Sequence, residues 1–461
     1  MTTVTEAPAA APIELWLEPD EPDPFEIFDA MRAAGVADVR RVGVLCSTVA
    51  QVEAARAAGA GAVVGVGEPG ELAAAAPDVI SSRDDLAAVL AAGWGPDGSQ
   101  RRLVLLNPGP ALTSDAVKRA AAGTDICHRE REYVDLDRRV RSKLRRIAGL
   151  DERWRIALLS GTGTAANEAA LRSAVRPGRV LVVVVNGVYG ERLSESARRA
   201  GIETVPVEGS WTEPIDADLV AAALAAEPRA DALAVVHHET TTGLLNPLDE
   251  IAQLAQASDV RTVVDAISSF GVEEIAFDGG IDFLTCTSNK CLHGLPGASF
   301  IFVSPSGSRR AHDVEPTSVA LDLRVYLETD TTAVPPFTPA IPAVASLDVA
   351  LDRALAEGID GRRQRYAARC ALLDETLDRL GLDQLVSPDA RSHSIRSVRL
   401  PEGVSFAALH DVLRASGFVV YAGQGTLARE IFRIACMGEL EPTDLERFAA
   451  ALERVLAELR T

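Results

Sequence analysis

Only three of the 46 basic residues are lysines: Lys118, Lys143 and Lys290. Chemistry that needs a primary amine therefore has three candidates. Lys118 lies in SDAVKRAAAG and Lys143 in RRVRSKLRRIAG, both charged amphipathic patterns that read as solvated helix faces. Lys290 follows an apolar run in DFLTCTSNKCLHGLPG, among small uncharged residues. Desolvation there would lower its pKa and make it a usable nucleophile. The same residues also fit an exposed lysine in a strand–helix turn. Asp265 closes the apolar run VVDAISS, 25 residues earlier. An acid at the carboxyl end of a parallel strand points into the crevice where such sheets bind ligands, although it also suits an N-cap. In LLSGTGTAANEAAL, the backbone N–H groups of Thr162, Gly163 and Thr164 would open a helix, where unpaired donors and the dipole hold a phosphate. Such turns are common, and this one is neither a Walker A nor a GxGxxG pattern. Tyr189 in NGVYGERL lies just past the run VLVVVV. An aromatic there could stack on a flat ring or pack as a loop tyrosine.

The elements that would position these groups follow from pattern. Strands are predicted at residues 154–160, 179–186, 232–237, 261–266, 283–288 and 299–304. Most are continuous apolar runs, as expected of parallel strands covered on both faces. Amphipathic helices such as GERLSESARRAG lie between them. From about residue 359 the chain changes to long charged helices and shorter strands, which reads as an α+β domain. Residues 1–12 are Ala/Pro/Thr-rich and are predicted to be disordered. Residues 1–100 hold five arginines, no lysine and sixteen acids, which is over half of the net charge of −20. That asymmetry marks a separate small α/β domain over 13–100. It has a predicted helix at 22–35, a strand at 40–46, a helix capped by Ser47 and a strand at 62–67. The Gly/Pro/Asp/Ser cluster at 93–100 reads as a linker.

Composition excludes several classes. An acidic chain without a basic patch is not built for nucleic acid. No apolar run approaches the roughly 20 residues of a membrane span, and the first residues lack the basic and apolar regions of a secretory signal. The six cysteines are scattered without a CxxC pair. No disulfide framework and no metal site are expected, and the compartment is expected to be a reducing cytoplasm.

The phosphate turn, the aromatic, the strand-end acid and the strand-end lysine occur in one order. With LLNPGPALTSDAV, VVHHETTTGLLNPLDEI, SVALDLRVY and IFRIACMGEL, they make residues 103–461 similar to the class V aminotransferases. HETTTGLLNPL, DAISSFG and SNKCLHGLPG are nearest the 2-aminoethylphosphonate:pyruvate branch of that family. The resemblance implies a fold-type I pyridoxal phosphate transferase, α/β in class. A mostly parallel seven-stranded sheet with helices on both faces would span residues 101–358, and a smaller α+β domain 359–461. It implies roles too. Lys290 would bind the cofactor covalently and carry a proton, and Asp265 would keep the pyridinium nitrogen protonated. Tyr189 would stack on the ring, and Thr162, Gly163 and Thr164 would bind the phosphate. Thr240 would reach the ring oxygen. Thr338 would reach the phosphate of a partner subunit's cofactor, so a homodimer is implied. Arg433 would clamp the carboxylate or phosphonate of the substrate. The reaction implied is amino transfer from 2-aminoethylphosphonate to pyruvate, or its reverse.

Departures from the family pattern bear on the donor. DICHREREY (125–133) stands where a tryptophan-bearing stretch is expected, and Pro342 where a histidine is expected. An alanine- or serine–glyoxylate type of transaminase is the alternative within the class. A non-catalytic scaffold is the alternative outside it. Residues 13–100 resemble the C-terminal half of a haloacid-dehalogenase-type hydrolase. The DxD half is missing and CST (46–48) replaces the acidic loop, so a catalytically dead remnant is expected.

Overall fold

A computed structural model describes residues 103–459 and, before them, residues 3–6, 15–18, 42–48, 50–52, 55, 62–66 and 78–80. The chain divides into two compact units, Met1–Leu103 and Val104–Thr461.

In the first unit, Thr3–Glu6, Leu15–Glu18, Val42–Cys46, Ala62–Val66 and Asp78–Ile80 form one sheet in chain order. The first pair is antiparallel and the rest are parallel. The strand Thr3–Glu6 corrects the expectation of disorder over 1–12. The Ala/Pro content that suggested it is concentrated in 7–12, whereas Thr and Val at positions 3–5 favour a pleated strand. The helix after Cys46 is capped one residue later than expected. Thr48 Oγ1 accepts from Gln51 N–H, and Gln51 Oε1 accepts from the N–H groups of Ser47 and Thr48, a reciprocal capping box. The helix predicted at 22–35 and the linker at 93–100 lie outside the described residues.

The second unit is built on seven strands: β1 (Arg155–Ser160), β2 (Val180–Val185), β3 (Glu203–Glu208), β4 (Ala230–Val236), β5 (Arg261–Asp265), β6 (Phe283–Thr287) and β7 (Ala298–Val303). They lie in the order β1-β7-β6-β5-β4-β2-β3. Only β7 runs against its neighbours. The continuous apolar runs have a direct explanation. Ile156, Leu158, Val182, Val184, Leu233 and Val235 face one core. The alternate residues Ala157, Leu159, Leu181, Val183, Ala232 and Ala234 face another. Both faces are covered, so alternation along a strand is apolar against apolar. The second face is rich in alanine, as is the helix Gly163–Ala174 packed on it. Small side chains let that helix approach closely, which fixes where its N-terminus sits beside β1.

A third core gathers the C-terminal elements. Ile395–Arg399, Ile431–Ala435 and Tyr421–Ala422 form an antiparallel sheet with Ile431–Ala435 at its centre. The helices Ile359–Arg379, Phe406–Ala415 and Pro442–Leu459 cover it. One boundary differs from expectation. Residues 104–111 fall within the 101–358 span expected of the large domain, but Val104–Leu105 pairs with Phe418–Val419, and Val104, Leu106 and Ala111 are buried in the C-terminal core. The short run VLL has no pattern of its own, and only its partner strand decides where it belongs.

Candidate active site

The parallel strands β1, β2, β5 and β6 end along one edge of the sheet, where the antiparallel β7 begins. A cavity opens there, lined among others by Gly109, Thr162, Gly163, Thr164, Asn167, Tyr189, Arg192, Asp265, Thr287 and Lys290. Parallel strands deliver their carboxyl ends and following turns to one side, so residues far apart in sequence converge.

Of the three lysines, Lys290 alone lies here. Lys118 is exposed and pairs with Asp115 at 3.4 Å. Lys143 is not on a solvated face as expected. Its side chain is 13% exposed, and its amine bridges Asp348 at 2.6 Å and Asp352 at 2.7 Å. A helix pattern cannot reveal a partner helix, and Ile341–Glu357 supplies both acids. Lys290 is half-buried, and its amine donates to the carbonyl of Pro108. Burial pulls the amine down to about 8. The neighbouring Cys291 thiol opposes this, Arg433 adds to it, Asp265 opposes it and Arg192 adds to it. The neutral amine is the nucleophile, so it is depleted below that value. The rate at which the apo protein captures an aldehyde at Lys290 should therefore climb as pH approaches about 8 and flatten above it. Reconstitution followed by visible absorbance across a pH series checks this. A rate that keeps climbing towards about 10, as for a solvated lysine, would contradict the buried amine.

Asp265 ends β5 at 3% exposure. Its carboxylate accepts from Asn167 Nδ2 at 2.7 Å and from the Ile267 N–H at 3.0 Å. Burial pushes its carboxyl upward, and the Ile267 and Asn167 hydrogen bonds with the charges of Lys290 and Arg192 pull it back. Asn167 is held in turn by Thr285, whose hydroxyl donates to Asn167 Oδ1. Sequence reasoning missed Asn167. The available signal was an asparagine among alanines on the buried face of a helix.

Thr162 caps the helix Gly163–Ala174, its hydroxyl accepting from the Ala165 N–H. The N–H groups of Gly163 and Thr164 follow at the first turn, where a helix has no intrahelical acceptor for them. A Cβ on Gly163 would run into the Ile267 side chain. Gly109 lies across the cavity at φ +128°, and a Cβ there would come within 2.6 Å of Lys290 Nζ and 2.8 Å of its Cδ and Cε. The NPGP run gave no hint that its glycine would meet Lys290. Gly109→Ala should cost roughly 1–3 kcal/mol in backbone strain and displace the amine. The expected result is a lower denaturation midpoint together with weakened cofactor binding. Unchanged binding would mean that the loop yields.

Tyr189 and Arg192 lie on the first turn or so of the helix Val188–Arg199. Glu239, fully buried, holds that helix in place. Its carboxylate accepts from Tyr189 N–H at 3.4 Å, Gly190 N–H at 3.2 Å and the Thr241 hydroxyl at 2.6 Å. Burial pushes the Glu239 carboxyl up against those hydrogen bonds. Sequence reasoning missed this residue as well. The Arg192 guanidinium carbon is 4.7 Å from the Tyr189 ring centroid.

Thr240 is buried, its hydroxyl 2.7 Å from that of Ser268. The Ser268 carbonyl takes the Nδ1 of His238 at 3.0 Å, so Nδ1 must be the protonated nitrogen. Burial lowers His238 to about 4 and keeps it neutral. Arg433 is 3% exposed, in the central strand of the C-terminal sheet rather than at an edge. It donates to the carbonyls of Ala422 and Thr240, each at 2.9 Å, and to Gln424 Oε1 at 3.1 Å. Thr338 is exposed and does not line the cavity. Thr240 and Arg433 are likewise outside the lining, so the cavity itself offers an amine nucleophile, a buried carboxylate, anion donors at a helix N-terminus, a flat aromatic and the Arg192 guanidinium.

Comparison with known proteins agrees with this geometry. The family model for class-V aminotransferases matches residues 116–437. A 2-aminoethylphosphonate–pyruvate transaminase from Burkholderia thailandensis is 37% identical over 366 residues, covering 78% of this chain and 98% of that protein. Among solved structures, pyridoxamine-pyruvate aminotransferase from Mesorhizobium loti aligns with a TM-score of 0.74 at 27% identity, over 78% of this chain and 93% of that one. Alanine–glyoxylate aminotransferase from Nostoc sp. aligns with a TM-score of 0.73 at 29% identity, over 77% and 95%.

Proposed function

The chain belongs to the class-V aminotransferase family, and from that premise we propose that it transfers the amino group of 2-aminoethylphosphonate to pyruvate, yielding phosphonoacetaldehyde and L-alanine. It is a transaminase, and its cofactor is pyridoxal phosphate. The residues fit that group. The cavity has a lysine amine on one side, a buried carboxylate at the end of β5, and a capped helix N-terminus. Glycines stand at two positions where a Cβ would intrude. When bound, the cofactor supplies an electron sink that makes the donor C–H acidic.

The chain's own residues do the rest. The N–H groups of Gly163 and Thr164, with Thr162 as cap, would hold the phosphate. Tyr189 would pack on the flat ring. Asp265, oriented by Asn167 and the Ile267 N–H, would keep the proton on the ring nitrogen. The Thr240 hydroxyl, fixed by Ser268, would serve the ring oxygen. Lys290 Nζ, held near neutrality by burial, can take and return a proton at the donor carbon. Arg433 holds the anionic end of donor or acceptor, since a planar guanidinium suits such groups. Its burial against the Thr240 carbonyl, to which it donates at 2.9 Å, is the observation that supports the anionic substrate class.

Two further readings belong here. Thr338 is exposed beside Phe337 and Val334, which are 41% and 42% exposed, and an apolar surface of this kind supports a homodimer in which Thr338 completes the partner's site. The first unit serves as an accessory domain without chemistry of its own, because it has no lysine and Ser47 and Thr48 follow its strand where an acidic metal loop would be needed. Among the described residues no helix is long and apolar enough to cross a membrane. Together with five buried free cysteines, this supports the cytoplasm as its compartment.

The test is a visible spectrum of the holoenzyme before and after 2-aminoethylphosphonate. The expected result is loss of the cofactor's visible band with the phosphonate and its return with pyruvate. A band that ignores the phosphonate but responds to alanine or serine would keep the transaminase and replace the donor.

A further inference from the structure

Resting on the phosphonate donor proposed above, we infer that Arg192 is the second cation of the donor site and sets the preference for a dianionic over a monoanionic donor. Arg192 lines the same cavity as Lys290, Asp265 and Tyr189. Its guanidinium lies over the Tyr189 ring, and the side chain of that same tyrosine also interacts with Arg433. One aromatic therefore lies next to two guanidiniums, of which that of Arg192 lines the cavity.

The two differ in how far they are committed. Arg433 is buried, with Nε and Nη1 already spent on two backbone carbonyls and Gln424. It can offer little more than one edge. Arg192 is exposed at the cavity mouth, and among the described residues no carboxylate lies within 4.0 Å of it. Its helix neighbours Arg198 and Arg199 both pair with Glu195 at 2.5 and 2.6 Å. In a chain with 66 acids against 46 basic residues, an unpaired guanidinium at a binding cavity is an available anion partner.

The charge on the ligand then decides what Arg192 does. A carboxylate carries one charge on two oxygens, and one guanidinium edge satisfies it. A phosphonate has three oxygens and, like a phosphate, about −1.5 to −2 charges near neutral pH. Its second charge needs a second cation. Lys290 cannot supply it, because its amine must be free of charge to act. Among the described residues, Arg192 is the other cation that lines the cavity.

The experiment compares wild-type holoenzyme with Arg192→Gln and Arg192→Lys. Each donor half-reaction is followed by cofactor absorbance, with 2-aminoethylphosphonate and with L-alanine, and the cofactor dissociation constant is measured alongside. Arg192→Gln should lower the kcat/KM ratio of phosphonate over alanine by about 30-fold, the size of a lost hydrogen bond to a charged group. Arg192→Lys, which keeps the charge, should recover part of that ratio. Cofactor affinity should stay within about threefold. An equal loss for both donors would overturn the inference, and so would a weakened cofactor that accounts for the loss. If the wild type responds to alanine but not to the phosphonate, the donor assignment itself falls and takes this inference with it. If the wild type responds to both and the variant ratio is unchanged, only the role of Arg192 falls.

Discussion

Lys290→Ala is expected to abolish transamination and to leave the fold in place. The loss expected is at least about 10⁴-fold in kcat, since one amine serves as both nucleophile and proton carrier and no other lysine reaches the cavity. The turn that holds Lys290 does not need its side chain. Ser288 N–H bonds to Ala298 O at 3.0 Å, Gly294 N–H to Ser288 O at 2.8 Å, and His293 N–H to Lys290 O at 3.0 Å. These are backbone bonds that alanine keeps. Circular dichroism and denaturation should match the wild type, and the visible band of the covalently held cofactor should be missing. Retained turnover would remove Lys290 from the chemistry. Loss of the fold would mean that the lysine is needed for structure.

Asp265→Asn is the second large effect, and it separates binding from chemistry. An amide has nearly the shape of the carboxylate and can still accept from the Ile267 N–H, now 3.0 Å from Oδ1. It would set an NH2 group against Asn167 Nδ2, now 2.7 Å away. A flip of Asn167 relieves this, because Thr285 can accept instead and donate to Val264 O at 3.2 Å. The packing therefore survives. The negative charge that would face the ring nitrogen does not, and with it would go the hold on that proton. Turnover should fall by about 10³-fold while the cofactor still binds at Lys290 and the helix N-terminus. Single-turnover absorbance with each donor measures this. A fall of less than about tenfold would mean that the charge on Asp265 is not what the ring nitrogen needs.

The two residues depend on different surroundings. Lys290 is tuned mainly by burial beside a loop, residues 108–110, that comes from the far end of the unit's sequence. Asp265 is oriented by Asn167 from the helix after β1, and Asn167 by Thr285 from β6. A substitution at Asn167 or Gly109 should therefore reach the chemistry through Asp265 or Lys290.

Several features were legible in the residues themselves. The scarcity of lysine singled out Lys290, and the apolar runs placed β1, β2, β4, β5, β6 and β7 because a strand buried on both faces must be apolar throughout. The turn after β1 announced a helix N-terminus through its own Thr162 cap. These are local properties, carried by side-chain type and spacing over a few residues. What the sequence left open needed contacts across long separations. Thr3–Glu6 forms a strand because Leu15–Glu18 is there to pair with it. Val104–Leu106 joins the C-terminal core because Phe418–Val419 offers an edge. Lys143 is bound because a second helix brings Asp348 and Asp352. Gly109, Asn167, Glu239 and Arg192 became site residues only once the chain had closed around the sheet edge. A hydrogen bond or a steric limit between residues 49 to 182 positions apart has no periodicity to read, so tertiary structure alone decided which atoms surround Lys290 and Asp265.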